Sequence, residues 1–449
     1  MSKPRIMIDG YNLALEKGTG IATYARNLSE QATGLGHKVD LLYGVKAATG
    51  KNALLSEVTF FDPGGKPVTT SQVVRRLATS PWGMTAKQVP ITGKVISTTF
   101  RNRLPTYDRM FNLRDAYSFC RWHFRVYRQP LPVTYEEPAS IAHWTYPMPI
   151  KLKGAANIYT IHDLVPLRLP FATLDNKREF YRIVRNICDK ADHIVTVSEI
   201  SKRDIVELMG IDESRVTNTY QAVNLPKSIL ERSDETVINE VESIFALENR
   251  NYFLFFGAIE PKKNVGRIIE AYLASGSKIP LVIVGQLVWK NDDELRLLNM
   301  KMTDTAGRER PPVGKPGVSS SRRSRGGGGA ASIIKLDYLP LSMLASLIRC
   351  ARAVVFPSLY EGFGLPILEA MQLGTAVLTG DQGANPEVAG DSALIVDPYS
   401  VASIAAGLRT LGSDDDLLAH LQAAGRERAK LFSPAVYDQR LTELYTKLA

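Results

Sequence analysis

Short, fully apolar runs alternate along this chain with segments whose apolar residues return every three to four positions, and the alternation starts twice. The first start is the run Ile6-Met7-Ile8, which reads as a buried strand opening into a polar loop. After Gly18, Thr19 and Gly20, the spacing of Ile21, Ala25, Leu28 and Ala32 predicts a helix with one apolar face. Residues 37–44 supply a second strand, as the opening of a β-α-β unit requires. Further strands are predicted over 157–163 and 193–198; both end in polar residues, and Ser198 or Ser201 is placed to cap the helix that follows.

A polar connection near 227–248 separates this half from the second start. There a strongly apolar strand over 252–256 breaks at Gly257, and a helix follows from Asn264. Strands over 281–285, 353–357 and 376–380 then alternate with helices over 341–351 and 366–374, a doubly wound order. Residues 303–332 break the pattern: they hold no Leu, Ile or aromatic residue and run through Ser, Arg and Gly, so they read as a disordered insert or a frame-altered segment with no chemistry of its own. Near residue 440, Val436, Leu441, Leu444 and Tyr445 space a helix for docking on another surface.

A length of 449 residues exceeds what one core usually spans, so two α/β domains are expected: 1–232, and 248–432 containing the insert, with helix 433–449 packing back on the first. Hydrophobic residues at 45% and charged ones at 22% exclude a disordered chain. No run of 18 apolar residues and no signal-peptide pattern is present, and Cys120, Cys188 and Cys350 show no metal-ligand spacing, which leads to an expectation of reduced thiols and a cytoplasmic protein. Net charge changes the picture more. Of the overall +9, residues 1–230 hold 31 Lys and Arg against 20 Asp and Glu, so the first half should meet an anionic partner. Within it, residues 101–128 carry seven Arg against two Asp, interleaved with Tyr107, Phe111, Tyr117, Phe119, Trp122, Phe124 and Tyr127. That mixture suits a segment lying on an anionic membrane surface, and equally a solvated basic face over an aromatic core. No nucleic-acid recognition motif accompanies it, and no nucleic acid is expected as a partner.

The densest chemistry lies in 358–374. Glu361 stands in the loop after a buried strand and Glu369 eight positions on, within a helix. Gly362 and Gly364 permit close backbone approach, Pro366 suits a first helical position, and the N–H groups at the helix start around Leu365 form a site for phosphate. A diphosphate there would let Glu369 accept from ribose hydroxyls while Glu361 reaches a sugar on the far side. In the other half, His162, Asp163 and Ser198 fall beyond the carboxyl ends of strands, where open α/β sheets bind ligands, although Asp163 suits a turn cap as well. No metal is demanded: the one Asp-x-Asp, Asp414 to Asp416, follows Ser413 at a helix start, where acidic residues favour the dipole.

The pair of glutamates, together with residues 17–28, 143–147, 159–166, 196–205, 255–264 and 357–398, resembles the retaining family-4 glycosyltransferases of the GT-B fold, in which two Rossmann-like domains face a cleft. The resemblance implies that Lys263 contacts the donor diphosphate, that His162 lies by the transferred sugar with Glu361, and that Gly18 and Gly20 face the diphosphate. Many relatives carry an Arg where this chain has Ala258, and Lys262 is expected to compensate. Donor binding is thus expected at Gly18, Gly20, Lys262, Gly364, Leu365 and Glu369, and acceptor contact at Asp163, His143 and Trp144, without metal or other cofactor. The variants at 159–166 and 255–264 resemble bacterial exopolysaccharide and O-antigen mannosyltransferases. They imply hexose transfer, mannose from GDP-mannose, to a polyprenyl-diphosphate-linked oligosaccharide on the cytoplasmic face of the inner membrane. A UDP-glucose or UDP-galactose donor, an epimerase of the same architecture and a non-catalytic basic protein are the alternatives.

Overall fold

The computed structural model describes residues 3–14, 20–47, 50, 52–62, 64, 70–95, 104–286 and 332–448. Gly18 and residues 303–331 therefore lie outside the described residues, as do 101–103 of the arginine-rich stretch. The chain divides into two units: one formed by Met1–Arg168, Asp175–Asn224 and Phe432–Ala449, the other by Leu169–Leu174 and Leu225–Leu431.

The N-terminal unit is built on a sheet whose strands run, edge to edge, Val216–Asn218, His193–Thr196, Ala156–Thr160, Ile141–Trp144, Ile6–Asp9, Val39–Tyr43, Arg109–Asn112 and Lys87–Gln88. Among the described residues, only the pairing of Lys87–Gln88 is antiparallel. The apolar runs are continuous rather than alternating because both faces of a parallel sheet are covered; Ile6, Met7 and Ile8 have no exposed surface. Ile6–Asp9 lies between Val39–Tyr43, the next strand in sequence, and Ile141–Trp144, so strand order reverses at its carboxyl end. A second small parallel sheet joins Met84–Thr85, Leu131–Thr134 and Ile150–Leu152.

The C-terminal unit repeats the plan with parallel strands in the order Ile333–Leu336, Leu281–Val284, Phe253–Phe256, Ala353–Phe356, Ala376–Gly380 and Leu394–Val396. Its order reverses beside Phe253–Phe256, whose carboxyl end adjoins that of Ala353–Phe356. In open α/β sheets such a switch point is where two loops part and leave room for a ligand.

Several local expectations are settled by capping. Ser198, not Ser201, caps the helix Glu199–Met209 by accepting from Ser201 N at 3.1 Å. Asp414 caps Asp415–Lys430 by accepting from Leu417 N at 2.8 Å. The connection near 227–248 differs from its reading as a polar link: it folds into helices Lys227–Leu230 and Asp234–Phe245. The second is capped by Ser233 and buries Val237 and Val241, an i, i+4 pair in an otherwise polar stretch. The helix Pro434–Leu448 belongs to the N-terminal unit, where Tyr437, Leu441, Leu444 and Tyr445 are buried and Val436 is only half-buried.

The stretch after residue 101 is neither wholly interfacial nor wholly core. Phe111 is buried in the strand Arg109–Asn112, and Tyr117, Phe119 and Phe124 are buried on the helix Ala116–Tyr127, leaving Trp122, Val126 and Tyr127 outside. All three cysteines are free and buried. Among the described residues no helix is long and apolar enough to cross a membrane.

Candidate active site

In the C-terminal unit the switch point is occupied by two loops that hold each other. The first leaves Phe253–Phe256, makes the short turn Pro261–Lys263 and reverses at Asn264, a left-handed residue with φ 63°. The Asn264 amide donates to Pro357 O at 3.0 Å and to Pro398 O at 2.7 Å, and Leu359 N donates to Lys262 O at 2.8 Å. These bonds fix the lysine turn against the loop that follows Ala353–Phe356. That loop is braced from its other side, where Ala384 N donates to Glu361 O at 3.0 Å. A Cβ on Gly383 would stand 2.7 Å from that same oxygen, so only glycine fits this φ of 61°.

As a result Lys263 Nζ lies 2.6 Å from Glu361 Oε1, with Lys262 Nζ 4.0 Å from Oε2. Lys263 Nζ also sits 4.8 Å from the centre of the Phe356 ring, within cation–π range. Glu361 is only 6% exposed. Burial alone would raise its carboxyl, but the two ammonium groups and the hydrogen bonds from Lys263 and Ser358 overcome that, and the net shift is downward. The cluster therefore sets two ammonium groups against two carboxylates, Glu361 and Glu260, the latter 3.5 Å from Lys262.

Three residues beyond Glu361, Gly364 adopts φ 104° and opens the helix Leu365–Gln372, with Pro366 in its first turn. The first N–H groups of a helix have no intrahelical acceptor and carry its positive dipole end, so they add to the lysines' attraction for an anion. Glu369 lies on this helix, half-buried, and no hydrogen bond or ion pair reaches its carboxylate among the described residues. Desolvation raises that carboxyl to about 7. A partly buried carboxylate without a donor is a place for a ligand's hydroxyl groups. Sequence reasoning missed Asn264, Ser358 and Gly383, which position the pair rather than touch a ligand. Asn264 was legible as a helix-start asparagine, but its two carbonyl partners, 93 and 134 residues away, were not.

The N-terminal unit gathers a different group. Beyond the strand Ala156–Thr160, His162 Nε2 donates to Thr145 O at 3.0 Å, which fixes the neutral tautomer with Nδ1 as acceptor. Burial lowers the pKa of this imidazole further. Its ring meets Tyr24 edge-on at 4.8 Å. Thr145 N in turn donates to Asp9, whose carboxyl burial raises to about 6. Asp9 ends the strand at the switch point, and its polar side chain closing an apolar run was the signal that could have singled it out. Asp163 Oδ1 accepts from Val165 N at 3.0 Å, the turn-capping role. Gly20 begins the helix Gly20–Gly34 and is exposed.

His143 and Trp144, expected on the acceptor side, are placed in the interior with no exposed surface. His143 bonds Tyr445 Oη at 2.8 Å and Thr160 Oγ1 at 2.9 Å, and burial takes its pKa down to about 3. The Trp144 indole donates to Asn157 Oδ1 at 3.0 Å. Both rings are directed inward because they stand on a central strand covered on both faces, and an acceptor has no access to either side chain.

The profile of the glycosyl transferases group 1 matches residues 327–428, and that of glycosyltransferase family 4 matches residues 97–226. The chain is 30% identical over 291 residues to the O-antigen chain mannosyltransferase B of Escherichia coli, covering 64% of this chain and 68% of that protein. It is 27% identical over 289 residues to the serotype-specific mannosyltransferase WbdA of Escherichia coli, covering 64% of this chain but only 33% of that longer protein. Among solved structures, the sucrose-phosphate synthase of Thermosynechococcus elongatus matches with a TM-score of 0.61 at 14% identity, over 99% of each chain. That likeness concerns the fold, two Rossmann-like domains, and agrees with the strand orders above. The chain belongs to the family-4 glycosyltransferases of the GT-B fold and is a glycosyltransferase.

Proposed function

We propose that the protein transfers mannose from GDP-mannose, with retention of configuration and without a metal ion, to a polyprenyl-diphosphate-linked oligosaccharide during assembly of a cell-surface polysaccharide. The observation that carries this reading is the Lys262–Lys263–Glu361 cluster beside the start of the helix that bears the unpartnered Glu369. The lysines and helix N–H groups would hold the diphosphate, Glu369 the ribose hydroxyls, and Glu361 the sugar. In the transfer, the bond from the anomeric carbon to the diphosphate oxygen breaks and a bond to the acceptor oxygen forms on the same face. The acceptor proton passes to the departing diphosphate. Negative charge grows on the leaving oxygen, where fixed cations and N–H dipoles stabilise it most. Mannose is favoured because relatives of this chain bear the name mannosyltransferase.

A lipid-linked acceptor implies work at a membrane surface, and the helix Ala116–Tyr127 offers a patch for it. Trp122 and Val126 are 53% and 57% exposed beside exposed Arg121, Arg125 and Arg128. Calorimetric titration without added metal against GDP-mannose, GDP, UDP-glucose, UDP-galactose and UDP tests the donor. Binding of the guanosine pair alone, lost in Glu369→Ala, is expected. Binding of the uridine series alone would replace mannose and leave the site standing, and silence with all five would overturn the site.

A further inference from the structure

Three residues at the carboxyl ends of adjacent strands in the N-terminal unit are joined in a line. Asp9 ends the strand Ile6–Asp9, Thr145 follows Ile141–Trp144, and His162 lies two residues past Ala156–Thr160. Asp9 Oδ2 accepts from Thr145 N, and Thr145 O accepts from His162 Nε2 at 3.0 Å. The other oxygen of the same carboxyl, Oδ1, accepts from Tyr11 N at 3.2 Å. Asp9 and Thr145 have no exposed surface, whereas His162 is half-buried, so of the three only the imidazole is open to a ligand.

Burying a carboxylate without a counter-ion is costly. Among the described residues no cation pairs with Asp9. The titratable groups that face it from neighbouring elements are Tyr24 on the helix Gly20–Gly34, Tyr43 at the end of Val39–Tyr43 and Tyr117 on Ala116–Tyr127. Burial raises all three phenols above their ordinary range, so none is charged near neutrality. What the carboxyl has instead is two N–H donors from two different loops. An ionised carboxylate accepts both, one on each oxygen, whereas a protonated carboxyl or an asparagine side chain turns a donor toward one of them. Releasing Thr145 N would free the Thr145 carbonyl to turn, and that carbonyl is the acceptor that selects the Nε2–H tautomer of His162 and leaves Nδ1 with its lone pair.

We propose that Asp9, in its ionised form, is the positioning residue for His162: through the Thr145 backbone it holds the imidazole in one tautomer and one orientation, with Nδ1 as the acceptor for a substrate hydroxyl. The proposal rests on the glycosyl-transfer reading only for the place of His162 beside the sugar, because the positioning itself belongs to the unligated chain.

Ring ¹⁵N spectra of the unligated full chain, with His162 assigned by its loss in His162→Gln, test the positioning. The parent is expected to show the separate Nδ1 and Nε2 resonances of a single neutral tautomer above neutrality. The two should approach each other as pH falls through about 6, where the Asp9 carboxyl takes up its proton. Asp9→Asn should show the converged pair at every pH, and thermal melts report its folding separately. In turnover of GDP-mannose, Asp9→Asn should lower kcat by about tenfold, the worth of one hydrogen bond, and leave the donor KM within about twofold. The parent kcat at saturating donor should fall to that of the variant as pH drops through the same range, and the variant's profile should lack this limb. Separate resonances in Asp9→Asn, a parent pair that does not move through about pH 6, or an acid limb that persists in the variant overturns the proposal. The parent titration needs no substitution at Asp9 and decides the matter even where Asp9→Asn fails to fold. No turnover of GDP-mannose, UDP-glucose or UDP-galactose by the parent would tell against the transfer reading and leave the ring spectra to judge Asp9.

Discussion

The two units place polar residues at the same spot, the carboxyl ends of strands where sheet order reverses, and treat them in opposite ways. In the C-terminal unit the buried groups are ionised: Lys263 and Glu361 pair at 2.6 Å, and the ammonium groups keep the carboxyl charged despite its burial. In the N-terminal unit burial works toward the neutral form, and the two imidazoles are held uncharged. His143 is taken down to about 3, the pKa of His162 is lowered, and Asp9 is raised to about 6, with backbone and hydroxyl groups as their partners. A cluster whose ammonium groups are already charged and held in place can meet an anion without reorganising, whereas uncharged imidazoles bonded to backbone and hydroxyl groups orient side chains without attracting an anion. The same α/β frame thus provides an electrostatic site in one copy and a positioning site in the other.

The contrast is most open to attack at Lys263. Lys263→Ala leaves buried Glu361 with only the more distant Lys262 and Ser358, which should cost about 3 kcal/mol of stability in urea titrations and lower the transfer rate by about 10²–10³. A variant with parental stability and rate would show that the ion pair is ornament to the site. Next comes Glu369, whose folded pKa of about 7 lies above its ordinary 4.5. Between those values the native state holds more protons than the unfolded chain. Stability should therefore fall as pH rises through that window and level off above it, and Glu369→Gln should flatten this slope in thermal melts. Because ribose hydroxyls donate to the ionised form, nucleotide binding should release protons and tighten as pH rises through about 7. Proton uptake, read by calorimetry in buffers of different ionisation enthalpy, would sink the ribose role.

For the neutral network, Tyr445→Phe deprives His143 Nδ1 of its partner, and a loss of about 1–2 kcal/mol is expected, with nucleotide affinity unchanged. A change in affinity instead would mean that the two kinds of site are not separable. The smallest effect is expected at the surface helix. Arg121→Gln should reduce partition onto vesicles containing anionic lipid by about 1 kcal/mol, roughly fivefold, and Trp122→Ala should act in the same direction. Equal partition of parent and variants would remove that helix from the membrane argument.

Much of this contrast is legible in the amino-acid sequence, but unequally. Strands such as 6–8, 253–256 and 353–356 announce themselves because continuous apolar runs in a parallel sheet have no other stable placement. Glu361, Gly364 and Glu369 are legible because turn, helix start and strand lie within a few residues of each other. What depends on distant partners is not. His143 looks like a site residue in sequence, and its burial follows from Tyr445, 302 positions away. Residues 104–128 mix core and surface because a strand and a helix divide them, and composition averages over that division. The helix Asp234–Phe245 hides in a polar stretch since two buried valines suffice to seat it.

The membership of Pro434–Leu448 in the N-terminal unit has a consequence for biosynthesis. A ribosome delivers the strands of that unit first, then all of Leu225–Leu431, and only afterwards the tyrosines that satisfy His143 and fill the space beside Tyr24. At about 5–20 residues per second, the nascent N-terminal sheet waits on the order of ten to forty seconds with a polar gap in its core, while the C-terminal unit folds without delay. The second half to be translated should thus be the first to reach its finished state, and a chaperone that holds the nascent chain should dwell on the half that emerged earlier.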